Sequence, residues 1–470
     1  MAQTKPTWQP APEREGLGPL TGLRDFIDRL AVSSPARLAV LTFSLVIVVF
    51  SFLLSLPVSS ADGKVTPLHE AVFTAASAVC VTGLTVVSTA THWTFFGQLV
   101  ILAGVFVGGL GTLTIASLLT LMVSRRLGLR SKLIAQEALN NSSRLGEVGE
   151  LLRVVILTSA VIEGSLAVVL TGRFLTLGEG WWQSLWHGIF YAISSFNNAG
   201  FTPHSDGIIP YEEDLWILVP IAVGAFVGSL GFPVILGLRQ GGLRWSRWSL
   251  HVKLTILVSS ILVVVGGVLW GWMEWDNPRT IGTMNVGDKM IHAVFASIMT
   301  RSCGFNLVDQ NHMEGTTQIL TDALMFVGGG SASTAGGIKV TTLAVLFLAI
   351  LAEGRGDPDV KAFGRTIPDG ALRVAISVIV AGATLVLVGC FLMSAITSQP
   401  LDRVLFEVLS AFATVGLSSG LSAESPPAAM YVLTVLMFAG RVGTITLASG
   451  LSVRQRIQLY HYPEERPIIG

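Results

Sequence analysis

The segment 67–84 reads PLHEAVFTAASAVCVTGL, a short apolar run that ends at a turn containing a glycine. About 20 apolar residues are needed to cross a bilayer, so a run this short predicts a re-entrant segment. Gly83 suits the turn, because glycine adopts positive φ angles without a steric penalty. Non-helical backbone at membrane depth must be buried or line a water-filled cavity. The segment therefore predicts a pore helix followed by a pore-lining loop.

The same pattern occurs three more times, after the short runs Ser184–Phe196, Lys289–Thr300 and Asp402–Ala413. Four such loops can converge on one axis and supply carbonyl oxygens that replace an ion's water shell. Each short helix points its partly negative C-terminal end at that axis, which favours a cation. The predicted filter residues are Cys80, Val81, Thr82, Gly83, Asn197, Asn198, Ala199, Gly200, Arg301, Ser302, Cys303, Gly304, Ala413, Thr414, Val415 and Gly416.

The composition assigns the rest of the chain to a membrane. Hydrophobic residues make up 51% of the chain and charged residues 13%, whereas a soluble protein carries about 25% charge. Thirty basic residues balance thirty acidic ones, which argues against a nucleic-acid-binding protein. Eight stretches are long enough to span a bilayer: Leu38–Leu56, Phe95–Val123, Leu151–Leu170, Leu215–Leu238, Leu254–Trp272, Ile319–Leu351, Ala371–Ile396 and Tyr431–Leu451.

The predicted fold is an all-α polytopic membrane protein with eight transmembrane helices. It consists of four tandem helix–pore helix–filter loop–helix repeats around one pseudo-fourfold pore. The predicted segments are the cytoplasmic N-terminal segment 1–37, pore repeats 38–123, 151–238, 250–352 and 371–451, the cytoplasmic linker 124–150 and the cytoplasmic tail 452–470.

Basic residues predict the orientation of these spans. Twenty-two of the 30 Lys and Arg residues lie in the two terminal segments and in the connections 124–153, 239–253 and 353–373. The positive-inside rule therefore predicts that both termini are cytoplasmic. Sixteen of the 30 acidic residues fall on the opposite side, where they would concentrate cations before the pore.

The four loops identify a resemblance. Val81–Leu84, Asn198–Phe201, Cys303–Asn306 and Thr414–Leu417 resemble the filter loops of the Trk/Ktr/HKT superfamily of potassium transporters. The resemblance implies potassium uptake, with K+ held at Gly83, Gly200, Gly304 and Gly416. The chain resembles the Ktr-type membrane subunit, since it has no extra N-terminal pair of spans.

The resemblance also implies the surroundings of the chain. It implies a homodimer in a bacterial cytoplasmic (inner) membrane, with one pore in each protomer. A cytoplasmic RCK-type ring of nucleotide-binding subunits would control transport through ATP or ADP, because this chain has no nucleotide-binding fingerprint of its own. The basic connections would face that ring or bind anionic membrane lipids. K+ is the transported ion, sodium dependence is left open, and no organic cofactor is expected.

The sixth predicted span is interrupted by the glycine-rich residues 327–339, hereafter the gate segment. So many glycines and hydroxyls cannot hold a stable helix in lipid, so this stretch must be buried or line water. In the superfamily the equivalent segment obstructs the pore and moves on activation. The predicted gate residues are Gly328, Gly329, Gly330, Ser331, Ser333, Thr334, Gly336, Gly337, Lys339 and Arg441.

Three charged residues at membrane depth need separate explanations. We interpret Arg441 as an electrostatic barrier below the filter, with a buried structural ion pair as the alternative. Arg301 precedes a filter glycine, so we expect its side chain to point away from the axis and to pair with Glu70 or Glu407 as filter scaffold. Glu163 is interpreted as a helix-packing or interface residue.

Three alternative interpretations agree less well with the sequence. A sodium-coupled secondary transporter with a midplane site would show two interrupted spans, whereas the sequence indicates one. An intramembrane protease would need a histidine in a span after Ser331, and the later His461 lies in the tail. A phosphate-binding loop would need Lys directly after glycine, but Ile338 separates Gly337 from Lys339. We therefore expect a transporter and not an enzyme.

Overall fold

The computed structural model describes residues 35–111, 148–242 and 244–443. The predicted segments 1–37, 124–150 and 452–470 therefore lie almost entirely outside the described residues. The helices are α1 Pro35–Ser55, α2 Leu68–Val79, α3 Phe95–Gly109, α4 Val148–Thr176, α5 Trp181–Phe196, α6 Leu215–Leu230, α7 Phe232–Gly241, α8 Leu250–Glu274, α9 Val286–Met299, α10 Gly315–Phe326, α11 Val340–Arg355, α12 Asp369–Thr397, α13 Leu401–Ala413, α14 Leu421–Glu424 and α15 Pro427–Phe438.

Short irregular elements complete the described part of the chain. The last helix continues as a π-helical turn over Ala439–Gly443. A two-stranded antiparallel hairpin joins β1 Val360–Ala362 to β2 Arg365–Ile367, with Lys361 opposite Thr366. The hairpin is a small departure from the predicted all-α fold. Its turn contains Phe363 and Gly364, both at positive φ.

Three of the described helices are long and apolar enough to cross a bilayer. They are Val155–Thr176, Leu250–Glu274 and Asp369–Thr397, and they overlap three of the predicted spans. The apolar helices Ala39–Ser55, Phe95–Gly109 and Pro427–Gly443 are shorter over the residues described. The total of eight spans therefore stays a prediction.

The fourth predicted span, Leu215–Leu238, is wrong as a single helix. Helices α6 and α7 meet at an angle of 92°. The bend falls at Gly231, whose φ of 93° is accessible to glycine and strained for other residues. Pro233 follows in the first turn of α7, where its missing N–H leaves no extra unpaired donor. The described chain thus has two interrupted helices, at Gly231 and at the gate segment, and not one.

The predicted pore helices α2, α5, α9 and α13 are enclosed towards the glycine loops that follow them. Their second halves are largely buried, mainly through small or apolar residues such as Ala75, Ala76 and Ala78 in α2. Small side chains let the pore helices lie close to the longer helices around them, as in other membrane helix packing. Large side chains such as Phe73 and Phe412 fill the surrounding apolar core. This packing holds the end of each pore helix, and the loop after it, in a fixed position.

Candidate functional site

The four predicted filter loops share one backbone conformation. In each loop the residue two positions before the glycine has a positive φ, as does the glycine itself. The non-glycine members are Val81 (58°), Asn198 (60°), Ser302 (114°) and Thr414 (51°). A side chain in this region costs about 1–3 kcal/mol and persists only where surrounding contacts enforce it. Strain repeated at four equivalent positions makes these loops the candidate functional site.

Buried serines hold two of the loops in this conformation. The carbonyl of Ser77 accepts from the N–H of Thr82 (2.7 Å), and its hydroxyl accepts from the N–H of Gly83 (3.1 Å). In the fourth loop the N–H of Gly416 likewise donates to the hydroxyl of Ser410 at 3.1 Å. The loop N–H groups are therefore directed back into the pore helix.

Sequence reasoning missed these serines, although a signal was present. A serine stands six residues before the glycine in three of the four loops, at Ser77, Ser194 and Ser410. In the second loop the Ser194 hydroxyl instead donates to the carbonyl of Phe201 at 2.8 Å. The third loop has Ile298 at this position, and the N–H of Gly304 donates to the carbonyl of Met299 at 3.3 Å.

The loops meet in a closed ring. A Cβ placed on each filter glycine would lie under 3.0 Å from a carbonyl oxygen of the next loop. The facing pairs are Gly83 with Ala199, Gly200 with Cys303, Gly304 with Val415, and Gly416 with Thr82. The last pair brings the fourth loop against the first, so the ring closes in chain order. Only glycine leaves room for this approach.

The facing carbonyls have no hydrogen-bond donor among the described residues. Those of Thr82, Ala199, Cys303 and Val415 belong to fully buried residues, and none accepts a hydrogen bond from the described chain. A buried carbonyl left unpaired is costly, and a dehydrated cation can satisfy several of them at once. The ring therefore offers the oxygen ligands that a hard cation prefers.

The gate segment lies directly against this ring. The N–H of Gly336 donates to the hydroxyl of Ser302 at 3.2 Å, and that hydroxyl donates to the carbonyl of Thr414 at 3.1 Å. The amide of Asn198 and the hydroxyl of Thr334 are hydrogen-bonded at 2.6 Å. One segment thus contacts the second, third and fourth loops. It brings the predicted gate residues and the predicted filter residues together.

Hydrogen bonds also fix the base of the gate segment. The N–H of Gly328 donates to the carbonyl of Ile338 (2.8 Å). The N–H of Gly330 donates to the carbonyl of Ser229, which lies beside the Gly231 bend. A Cβ on Gly336 would collide with Thr414 Oγ1. Two side chains of the segment make further hydrogen bonds: the Ser331 hydroxyl with that of Thr341, and Lys339 Nζ with the carbonyl of Ala335. Gly329 packs on Ser229 and Gly337 packs on Ala413. Ser333 is buried.

Arg441 ties the gate segment to two fixed helices. It lies in the π-helical turn and is 3% exposed. Its guanidinium donates to the carbonyl of Thr334 in the gate segment and to that of Gly108 at the end of α3 (2.7 Å). Within the described residues it has no acidic partner, so the alternative of a structural ion pair finds no support there. Within residues 35–111, 148–242 and 244–443, the hydrogen-bond partners of the guanidinium are these two backbone carbonyls.

Comparison with known proteins identifies the family. The model of the TrkH family, described as a cation transport protein, matches residues 36–455. The chain belongs to this family. It is 34% identical over 451 residues to Ktr system potassium uptake protein B of Bacillus subtilis (strain 168), covering 96% of this chain and 100% of that relative.

Further relatives agree with this membership of the TrkH family. Ktr system potassium uptake protein B of Vibrio alginolyticus is 35% identical, covering 92% of this chain and 94% of the relative. The potassium/sodium uptake protein NtpJ of Enterococcus hirae is 33% identical, covering 93% and 97%. The crystal structure of the potassium transporter TrkH from Vibrio parahaemolyticus shares the fold, with a TM-score of 0.70 at 18% identity over 90% of this chain and 84% of that chain.

The predicted pairing of Arg301 with Glu70 or Glu407 is wrong. The Arg301 guanidinium donates to the carbonyl (3.0 Å) and the hydroxyl (3.1 Å) of Ser259 in α8. A helix carbonyl and a serine hydroxyl therefore replace the carboxylate that sequence reasoning assigned to it. The Glu70 carboxylate instead lies 3.9 Å from Nε2 of the neighbouring His69.

Glu407 instead holds the segment after the fourth loop. Its carboxylate accepts from the hydroxyls of Ser418 (2.7 Å), Ser419 and Ser422, and from two backbone N–H groups of the same stretch. These hydrogen bonds attach the segment after the fourth loop to α13, the helix before that loop.

Glu163 supports the second loop from outside the ring. Its carboxylate accepts from the side-chain amide of Asn197 at 2.8 Å, so α4 is attached to the start of that loop. From sequence alone, Glu163 is interpreted as a helix-packing or interface residue with no link to a filter residue. A lone acid within a span is the signal that could have indicated one.

Proposed function

We propose that this chain carries potassium ions across a membrane through the ring of four glycine loops. The observation that supports this proposal is the set of four buried carbonyls that face neighbouring glycines and lack donors in the described chain. Relatives at 33–35% identity are named as potassium or potassium/sodium uptake proteins. The ion would exchange its water shell for backbone oxygens, which is how potassium channels conduct.

The gate segment would hold this pathway closed in the conformation described. It contacts three loops on one side of the ring, and Arg441 adds a positive charge at the same place. A cation leaving the ring would meet both a backbone obstruction and an unpaired charge. Displacing the segment would break the Arg441–Thr334 contact and remove the obstruction, so the segment and the arginine would act as one gate.

The remaining parts of the proposal concern the assembly. We expect a homodimer in the bacterial inner membrane, with both termini cytoplasmic. A cytoplasmic RCK-type ring that binds ATP or ADP would supply the force that moves the gate segment. The basic residues Arg244 and Arg247, in the connection between α7 and α8, would face these regulatory subunits. Rescue of potassium uptake only when such a partner is co-expressed would support this arrangement.

A second candidate is a sodium-coupled secondary transporter. The bend at Gly231 favours it, because two interrupted helices are typical of that class. The two interruptions contact each other, however, because the Gly330 N–H donates to the carbonyl of Ser229, two residues before the bend. Potassium uptake that follows an imposed sodium gradient in both directions would favour coupling. Uptake that follows only the potassium gradient would favour conduction.

Gly83→Ala in a bacterium that lacks its own potassium uptake systems tests the main proposal. The added methyl would collide with the Ala199 carbonyl, so growth at low potassium should be lost. Gly63→Ala is the matched control, because Gly63 also has a positive φ (66°) but has no atom within 4 Å of a Cβ. Both variants should be extracted from the membrane at wild-type levels. Equal growth of the two variants would contradict the proposed ring.

A further inference from the structure

A cluster of metal-ligating side chains lies beside the second loop, away from the ring. Glu179, His187 and His204 each place one ligand atom within 4.8 Å of the other two. His187 Nδ1 lies 2.7 Å from one Glu179 oxygen, and His204 Nε2 lies 3.5 Å from the other. The cluster joins the connection before α5, the first half of α5 and the segment after Gly200.

Two tyrosine hydroxyls orient His204. The Tyr211 hydroxyl lies 3.3 Å from its Nε2. The Tyr191 hydroxyl lies 3.2 Å from the carbonyl of Gly207 and 2.8 Å from His204 Nδ1. When this hydroxyl donates to Gly207 it accepts from an N–H at Nδ1, which leaves the lone pair of His204 on Nε2, the atom that faces Glu179. Partners of this kind, which orient the non-ligating nitrogen, are a regular feature of metal-bound histidines.

Packing holds both imidazoles while leaving the cluster accessible. The His187 and His204 rings lie 4.2 Å apart, and both contact the ring of Phe174, with centroids 5.8 and 5.9 Å away. The three ligand side chains are 17–21% exposed, so an ion can reach them. The Tyr211 hydroxyl donates to Glu179 at 3.3 Å and closes the remaining side.

We propose that Glu179, His187 and His204 bind a divalent transition-metal ion of the Zn2+ type. Two imidazoles and one carboxylate are a three-ligand set that Zn2+ accepts, with a water molecule in the fourth position. On binding, the metal replaces the hydrogen bond between His187 and Glu179, and any proton displaced from the ligands passes to solvent. A hard monovalent ion such as K+ has no preference for imidazole nitrogen, so this site is chemically separate from the ring.

The position of the site gives binding a structural consequence. His204 follows the second filter glycine by four residues, and His187 lies in the pore helix before that loop. A bound ion would therefore tie the segment leaving the loop to the helix entering it. Local opening of this stretch would become less frequent in proportion to metal occupancy.

Zn2+ binding to the purified full-length chain in nanodiscs tests the proposal without measuring transport. A competing fluorescent chelator would report one Zn2+ per chain, and His187→Gln and His204→Gln should each weaken binding by about tenfold or more. Glu179→Gln, which keeps side-chain volume and hydrogen bonding, should do the same. His312→Gln is the matched control, since His312 is 48% exposed and pairs with Asp309, 3.8 Å away, outside the cluster.

Two outcomes would overturn the proposal. One is wild-type protein that binds no Zn2+ at micromolar concentrations, which would leave the cluster as a hydrogen-bonded network only. The other is Zn2+ affinity in Glu179→Gln and His204→Gln within twofold of wild type. Heat-denaturation midpoints in chelator would establish that the variants are folded. Only the wild type and the control variant should then gain thermal stability on addition of Zn2+.

Discussion

Replacing Arg441 with alanine should open the proposed gate. Of its two carbonyl contacts, the one to Gly108 joins fixed helices, whereas the one to Thr334 must break when the gate segment moves. A hydrogen bond to a charged group contributes about 1.5–3 kcal/mol, and about 1.4 kcal/mol corresponds to a tenfold change in an equilibrium. Losing the Thr334 contact should therefore raise the open-to-closed ratio by about 10- to 150-fold.

Potassium efflux from proteoliposomes, measured without any regulatory partner, would detect this change. Basal flux through Arg441→Ala should exceed wild-type flux by up to the same factor, limited by the maximal open conductance. Arg173→Ala is the control, because Arg173 pairs with Asp214 (2.7 Å) and touches neither ring nor gate segment. Folded Arg441→Ala protein with flux at or below wild type would refute the gating role.

Three further changes test neighbouring contacts. Gly336→Ala should raise basal flux severalfold in proteoliposomes, because its methyl would push the gate segment off Thr414; unchanged flux would contradict close contact there. Ser410→Ala should weaken potassium-over-sodium selectivity, measured from reversal potentials, since the Gly416 N–H loses its acceptor and about 1 kcal/mol of support. Glu407→Ala should lower stability by about 3 kcal/mol or more, seen as a lower denaturation midpoint, because it leaves several buried donors unpaired.

Local sequence patterns were sufficient to predict the loops and the break in the sixth span. Gly83 and Gly416 stood out because each followed a run too short to cross a bilayer, and the gate segment because its glycines cannot support a helix. These are properties of neighbouring residues. The positive φ angles of Gly83 and Gly416 and the helix ends at Val79 and Phe326 follow from the same local chemistry, whereas those of Val81 and Thr414 depend on the contacts around them.

Contacts between distant residues were not predictable in this way. Arg301 was assigned a carboxylate partner because a buried charge usually needs one, yet a helix carbonyl and hydroxyl at Ser259 satisfy it. No local pattern indicates which carbonyls Arg441 reaches. The bend at Gly231, by contrast, could have been predicted locally. Gly231 followed by Pro233 is typical of the start of a new helix, but the continuous hydrophobicity of 215–238 favoured a single span.

The closure of the ring through Gly416 and Thr82 also bears on how the protein is made. These residues come from the fourth and first loops, so their contact joins nearly the two ends of the described chain. A nascent chain that has inserted only three loops has carbonyls facing a gap where the fourth loop will lie. It lacks one full side of the proposed coordination shell. The proposed ion binding by the ring would therefore be deferred until the fourth loop has been made.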